Sequence, residues 1–139
     1  MVRYAALILA VGGLAAALTP GAAEPPPSLV QAQPGVWEIS GAPGSKAPVR
    51  QCIADLAVLA RFEHRANSCT AKVLKTSGST TAIEYSCGGA GFGHSEVQAI
   101  TPRALRISTQ GISNGLPFNY VLQAHRIDDC PKSAFVTRH

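Results

Sequence analysis

Four cysteines, Cys52, Cys69, Cys87 and Cys130, are the residues whose number and spacing constrain the chemistry of this chain most. An even number of cysteines in an exported protein predicts disulfides, because few thiols stay reduced in an oxidising compartment. A zinc site would need close pairs such as C-x-x-C, and no two of these cysteines are spaced that way. We therefore expect two disulfides, no metal and no other cofactor.

A second candidate for chemistry is the segment 111–115, which matches the G-x-S-x-G pattern of a hydrolase nucleophile at Ser113. Asp128, Asp129 and His139 follow in the order usual for such a triad. The pattern requires a helix after the serine, however, and Pro117 with a β-rich segment follows instead. Asn-Gly is also a favoured hairpin turn, so the sequence predicts a turn here. Hydrolysis at Ser113 stays an alternative.

His94 and Glu96 lie two residues apart and would share one face of a strand. They could bind a metal or move a proton if His64 or His125 came close in the fold. Nothing in the sequence brings these residues together, so we expect a surface pair.

The glycines at 88, 89, 91 and 93 resemble a phosphate-binding loop. No helix follows them, and the chain has no Walker lysine, so a turn or a β-bulge is expected.

Five aromatic residues could line an apolar pocket on a curved sheet, although filling the core is the commoner role and the one we expect. The candidate ligand-lining residues among them are Trp37, Tyr85, Phe118 and Tyr120, and the fifth aromatic is Phe92.

The beginning of the chain predicts export. Arg3 and the apolar run 5–18 are typical of a signal peptide, and Gly21 and Ala23 place the predicted cleavage after Ala23. The run is shorter than the roughly 20 residues a spanning helix needs, so we expect no stable membrane anchor. We predict a signal peptide at 1–23, a Pro-rich spacer at 24–33, a β-rich domain at 34–131 and a loose tail at 132–139.

The elements that must position these residues are mostly strands. Segments 36–40, 93–100, 103–109 and 119–127 have strand composition, a short strand ends at Cys52, and segment 53–62 has the spacing of a short helix. The predicted fold is a single curved antiparallel meander of about six or seven strands with one short helix. Its later strands should contribute Val97, Leu105, Ile107, Val121 and Ile127 to the core.

Alternation predicts a hairpin between segments 69–75 and 83–87, with Leu74 breaking the pattern. A three-residue turn centred on Gly78 would place Val73 opposite Ile83 and Cys69 opposite Cys87, within disulfide reach. Cys52 would then pair with Cys130. The main rival pairing joins Cys52 to Cys69 and Cys87 to Cys130.

The run QPGVWEIS at 33–40, RQC at 50–52, Cys69, Cys87 and HRIDDC at 125–130 resemble the bacterial domain of unknown function family 3617. The resemblance covers 33–131 and implies a signal peptide and an exported β-rich domain, with no established activity or catalytic residues. The chain departs from that pattern in having no methionine after the signal and in ending Asp128-Asp129-Cys130.

The net charge of +4 comes from basic residues that are scattered along the chain, so no nucleic-acid partner is expected. The leading hypothesis is a non-enzymatic protein, periplasmic or secreted, that binds a small apolar ligand or another envelope protein. One alternative is an inhibitor of a foreign hydrolase that acts through the loop 88–93, and the other is the Ser113 hydrolase.

Overall fold

The computed structural model describes residues 32–132. The predicted signal peptide, residues 24–31 of the predicted spacer and residues 133–139 lie outside the described residues. Ala32 is buried, and the carbonyl of Gln33 accepts a hydrogen bond of 3.1 Å from the indole of Trp37. The packed domain therefore includes the last two residues of the segment predicted as spacer.

Seven antiparallel strands form one open sheet, which confirms the predicted fold class. The strands are β1 (Gly35–Ser40), β2 (Val49–Ile53), β3 (Thr70–Ser77), β4 (Thr80–Ser86), β5 (Gly91–Thr101), β6 (Ala104–Ser113) and β7 (Leu116–Asp128). Their order is β2-β1-β7-β6-β5-β4-β3, so β3 to β7 form a meander and β1 adds to β7. Strands β2 and β3 are the two edges.

The helical segment is shorter than the sequence predicted. Ile53 belongs to β2, where it pairs with Gly35, and the α-helix α1 covers only Ala57–Ala60. A 3₁₀ turn, Phe62–His64, follows it. The prediction of a helix over 53–62 was therefore wrong at both ends, because strand pairing takes Ile53 and because Arg61 leaves helical geometry at φ −117° and ψ 39°.

The β3–β4 hairpin has the predicted register but not the predicted turn. Ala71 lies opposite Tyr85 and Val73 opposite Ile83, as expected. The turn contains two residues, since Ser77 pairs with Thr80, and the register shifts between Val73 and Lys75. The residue skipped by this bulge is Leu74, the residue that interrupted the alternation in the sequence.

Both disulfides are those of the leading prediction. Cys69 is bonded to Cys87 across the open end of the β3–β4 hairpin, with 4.1 Å between the Cα atoms. Cys52 is bonded to Cys130, which ties β2 to the end of the described chain, with 5.5 Å between the Cα atoms. The rival pairing is therefore excluded.

One face of the sheet, which we call the inner face, carries the core and is covered by α1 and the 3₁₀ turn. The opposite face is called the outer face. Val97, Leu105 and Ile107 are buried on the inner face as predicted.

The predicted core contribution of β7 was wrong. Leu122 and Ala124 are buried, whereas Val121 is only half-buried and Ile127 is 41% exposed. The two-residue turn at Asn114-Gly115 pairs Ser113 with Leu116, which places even-numbered residues of β7 beside odd-numbered residues of β6.

Candidate functional site

His64, on the 3₁₀ turn, is buried against the inner face. Its Nε2 lies 3.0 Å from the carbonyl oxygen of Ala90, and its Nδ1 lies 3.4 Å from the hydroxyl of Tyr85. A carbonyl oxygen only accepts, so Nε2 carries the proton and Nδ1 accepts from Tyr85. The ring also meets Tyr85 and Phe118 edge to face, with centroids 5.6 and 5.8 Å away.

Two glycines make room for these rings. Tyr85, Gly93, Gly111 and Phe118 lie directly opposite one another along four neighbouring strands. A Cβ atom on Gly93 would lie 2.4 Å from the Tyr85 hydroxyl oxygen, and one on Gly111 would lie 2.2 Å from the carbonyl oxygen of Phe92. Gly93 therefore serves close packing within a strand, where no phosphate loop could form.

Next to this row, polar groups of the inner face satisfy one another. The Tyr120 hydroxyl donates to Glu63 at 2.9 Å, and the Ser95 hydroxyl lies 2.8 Å from that of Thr109. Burial raises the pKa of Tyr85, and burial together with the Glu63 carboxylate raises the pKa of Tyr120 well above its ordinary value. No buried side-chain nitrogen or oxygen within 32–132 lacks a partner. Such a network supports the packing of the core.

The four aromatic residues predicted to line a ligand site do not surround one cavity within the described residues. Trp37 is fully buried in the core. Tyr85 and Phe118 pack on His64, and Phe118 also meets Tyr120, with centroids 5.8 Å apart. Tyr85 and Phe118 also line surface cavities, but not the same one.

A small apolar cavity does open at one edge of the inner face. It has a volume of about 150 Å³ and lies between α1 and strands β3 and β4. We call it the β3 cleft. Strand β3 is exposed along all of its eight residues and pairs only with β4. The cleft is therefore bounded on one side by a free strand edge. Its lining residues are Ala57, Ala60, Arg61, Ala71, Val73, Ile83 and Tyr85.

Two larger grooves lie at the glycine-rich end of the sheet, with volumes of about 460 and 550 Å³. Glu84 and Phe92 line both grooves, so these side chains stand between them. Phe92 is 55% exposed. The sequence contained the signal for this position, because Phe92 has the same strand parity as His94 and Glu96, which were predicted to be at the surface.

His94 and Glu96 lie together on the outer face, away from the buried His64. His125 is on β7, where its partners are Ala104 and Glu38, beyond the rows that contain His94 and Glu96. Within the described residues no group of three or more His, Cys, Asp or Glu could hold a metal ion.

Ser113 is the last residue of β6, and a turn and β7 follow it. Asp128 ends β7, so about 12 strand residues, roughly 40 Å, separate it from the turn beside Ser113. Asp129 lies still further along, and His139 is outside the described residues. Ser113 and the two aspartates therefore form no triad.

The loop proposed for an inhibitor, 88–93, consists of a 3₁₀ turn, Gly88–Ala90, and the first residues of β5. The turn is held by the disulfide at Cys87 and by a hydrogen bond from the backbone N–H of Asn114 to the carbonyl of Ala90. The exposed residues of the turn are Gly88 and Gly89, and the exposed side chain of the segment is that of Phe92.

Comparison of the chain with protein-family models, with curated proteins and with solved structures finds no match. No helix among the described residues is both long enough and apolar enough to cross a membrane.

Proposed function

We propose that this chain is an exported, non-enzymatic β-domain that binds an extended segment of another envelope protein along β3. The observation that carries the proposal is the β3 cleft, a small apolar cavity beside an exposed edge strand of eight residues. Periplasmic or secreted location, cleavage after Ala23 and membership in family 3617 are parts of the same proposal. The two disulfides support an oxidising compartment, and the cleavage site and the family rest on the sequence motifs alone.

The size of the cleft favours a protein partner over a free apolar ligand. Pockets for small molecules usually enclose about 300–1,000 Å³, so a cavity of about 150 Å³ is too small for most of them. It is large enough for one aliphatic side chain. A side chain delivered by an extended peptide would fill it, and the backbone of that peptide could pair with β3.

The polar side chains near the edge define the chemistry of the partner. Lys72 and Lys75 lie on β3, and Arg61 lines the cleft. Lysines and a bulge also discourage an edge strand from pairing with unspecific strands. We infer that the preferred segment carries one apolar residue with acidic residues beside it. The neighbours of a side chain that enters the cleft would point to the outer face, where Lys72 and Lys75 lie.

Panning of displayed random dodecapeptides against the purified, disulfide-bonded mature protein tests this function. We expect enriched peptides with an apolar residue flanked by Asp or Glu. Their binding should weaken about tenfold or more in Val73→Arg, which fills the cleft with a cation. Ile100→Arg is the matched control, because Ile100 is a similarly exposed aliphatic residue, 58% against 48% for Val73, on another strand.

Hydrogen exchange locates the bound peptide. The amides of β3 should become protected on binding, because an added strand pairs with the free edge. The proposal is wrong if no peptide is enriched, if the two arginine variants bind alike, or if protection appears only away from β3.

A further inference from the structure

The outer face offers a second surface, which is centred on Phe92 and lies on the opposite side of the sheet from the β3 cleft. The phenyl ring of Phe92 is 55% exposed on the sheet face, and a groove lies on each side of it. An exposed aromatic ring beside two concave surfaces that polar side chains also line can serve as a stacking surface for a ligand.

A row of polar side chains runs beside the ring across five strands. Each member lies directly opposite the next in register, and side chains at such positions share one face of the sheet. The row consists of Lys72, Glu84, His94, Gln110 and Asn119. It supplies amide donors and acceptors, a carboxylate, an imidazole and an ammonium group.

We propose that this surface binds an extended, β-1,4-linked oligosaccharide of hexopyranose units. A pyranose ring presents C–H groups on its face, which stack on an aromatic ring, and hydroxyl groups at its rim, which need donors and acceptors in one plane. Phe92 supplies the stacking surface. Glu84, Gln110 and Asn119 supply hydrogen-bonding partners for the hydroxyl groups.

The spacing of the row favours an extended chain. Neighbouring strands lie about 4.8 Å apart, which is close to the length of one hexopyranose unit in a β-1,4-linked chain. A chain that crosses the strands would therefore meet one polar side chain for each sugar ring. An α-1,4-linked chain coils and cannot keep this alignment.

The charges of the row favour a neutral ligand. Lys72 and Glu84, opposite each other, carry opposite charges, and Gln110 and Asn119 are uncharged. A nucleic acid would require a basic stripe, and an apolar ligand would leave the polar groups that border both grooves without partners.

Titration of the ¹⁵N-labelled mature protein with soluble tetrasaccharides tests the inference. The probes are β-1,4-linked N-acetylglucosamine, β-1,4-linked glucose and α-1,4-linked glucose. We expect at least one β-linked tetramer to shift the side-chain amides of Gln110 and Asn119 saturably and to bind about tenfold more tightly than the α-linked one. Phe92→Ala should weaken binding about tenfold, and Phe92→Tyr should retain it.

Ile100→Ala is the matched control, since Ile100 is 58% exposed on the same strand and lies at its other end. Unchanged binding in this variant supports the assignment. The inference is overturned if neither β-linked tetramer binds, if the α-linked tetramer binds as well as both β-linked ones, or if Phe92→Ala and Ile100→Ala behave alike. Loss of saccharide binding in Phe92→Ala should leave peptide binding at β3 unchanged.

Discussion

The two faces of the sheet differ in how their side chains are packed: those of the inner face are mostly buried, and those of the outer face are mostly exposed to solvent. On the inner face, Tyr85, His64 and Phe118 lie close together over two glycines, and each buried polar side-chain atom within 32–132 has a partner. On the outer face, Phe92 is exposed between two grooves and a polar row faces solvent. Aromatic content alone therefore does not locate a binding site. Strand parity and cover by α1 decide which rings are core.

Removal of the disulfides should lower the free energy of unfolding more than most single substitutions, because the noncovalent core would then stabilise the fold alone. In the chain-entropy account, losing Cys52–Cys130, with a sequence separation of 78, costs about 4.5 kcal/mol, and losing Cys69–Cys87, with a separation of 18, costs about 3 kcal/mol. Urea unfolding of the two double Cys→Ala variants measures both values. Equal costs would contradict the dependence on loop length.

Phe62 and Phe92 test the two faces with the same substitution. Phe62 is 3% exposed under the inner face, so Phe62→Ala should lower the free energy of unfolding by about 3–5 kcal/mol. Phe92→Ala should change it by less than about 0.5 kcal/mol, because the ring is largely in solvent. Chemical denaturation of both variants measures the two changes in the free energy of unfolding. A large cost for Phe92→Ala would mean that the outer ring is part of the core.

Leu122 and Val121 are neighbours that point to opposite faces of β7. Leu122→Ala should cost about 2–4 kcal/mol, since Leu122 is fully buried, and Val121→Ala less than about half of that. Thermal and urea unfolding of the pair compare the costs. The reverse order would show that β7 has the register expected from the sequence, with Val121 inside.

The raised pKa values of Tyr85 and Tyr120 predict a small effect at high pH. The unfolded tyrosines lose their protons near pH 10 while the folded ones keep them, so stability is full below pH 10 and falls as the pH rises further. Tyr120→Phe should reduce this fall, by up to about 0.8 kcal/mol at pH 10.5. Urea unfolding between pH 8 and pH 10.5 measures it. An unchanged pH dependence would place the Tyr120 hydroxyl in solvent.

Most strands and the Cys69–Cys87 pairing could be predicted from the sequence, because alternation along a hairpin is a local signal, and Cys52–Cys130 followed by elimination. The turn has two residues where three were predicted, but Leu74 adds one unpaired residue to β3. The predicted pairing of Val73 with Ile83 is therefore still correct. The predicted helix failed because cross-strand pairing of Ile53 with Gly35 overrides local spacing. The outer site was missed because the five aromatic residues were considered as one group, without the parity of Phe92.

The sequence was sufficient for the strand content and for the hairpin register that made Cys69–Cys87 the leading pairing. These depend on period, spacing and composition within short segments. The tertiary structure alone decided which side of β7 is buried, which aromatic residues pack against His64, and where an open edge meets an apolar cavity. A change of one residue in a turn moves every side chain of the following strand to the other face of the sheet. The buried face is therefore known only once the strand pairing is known.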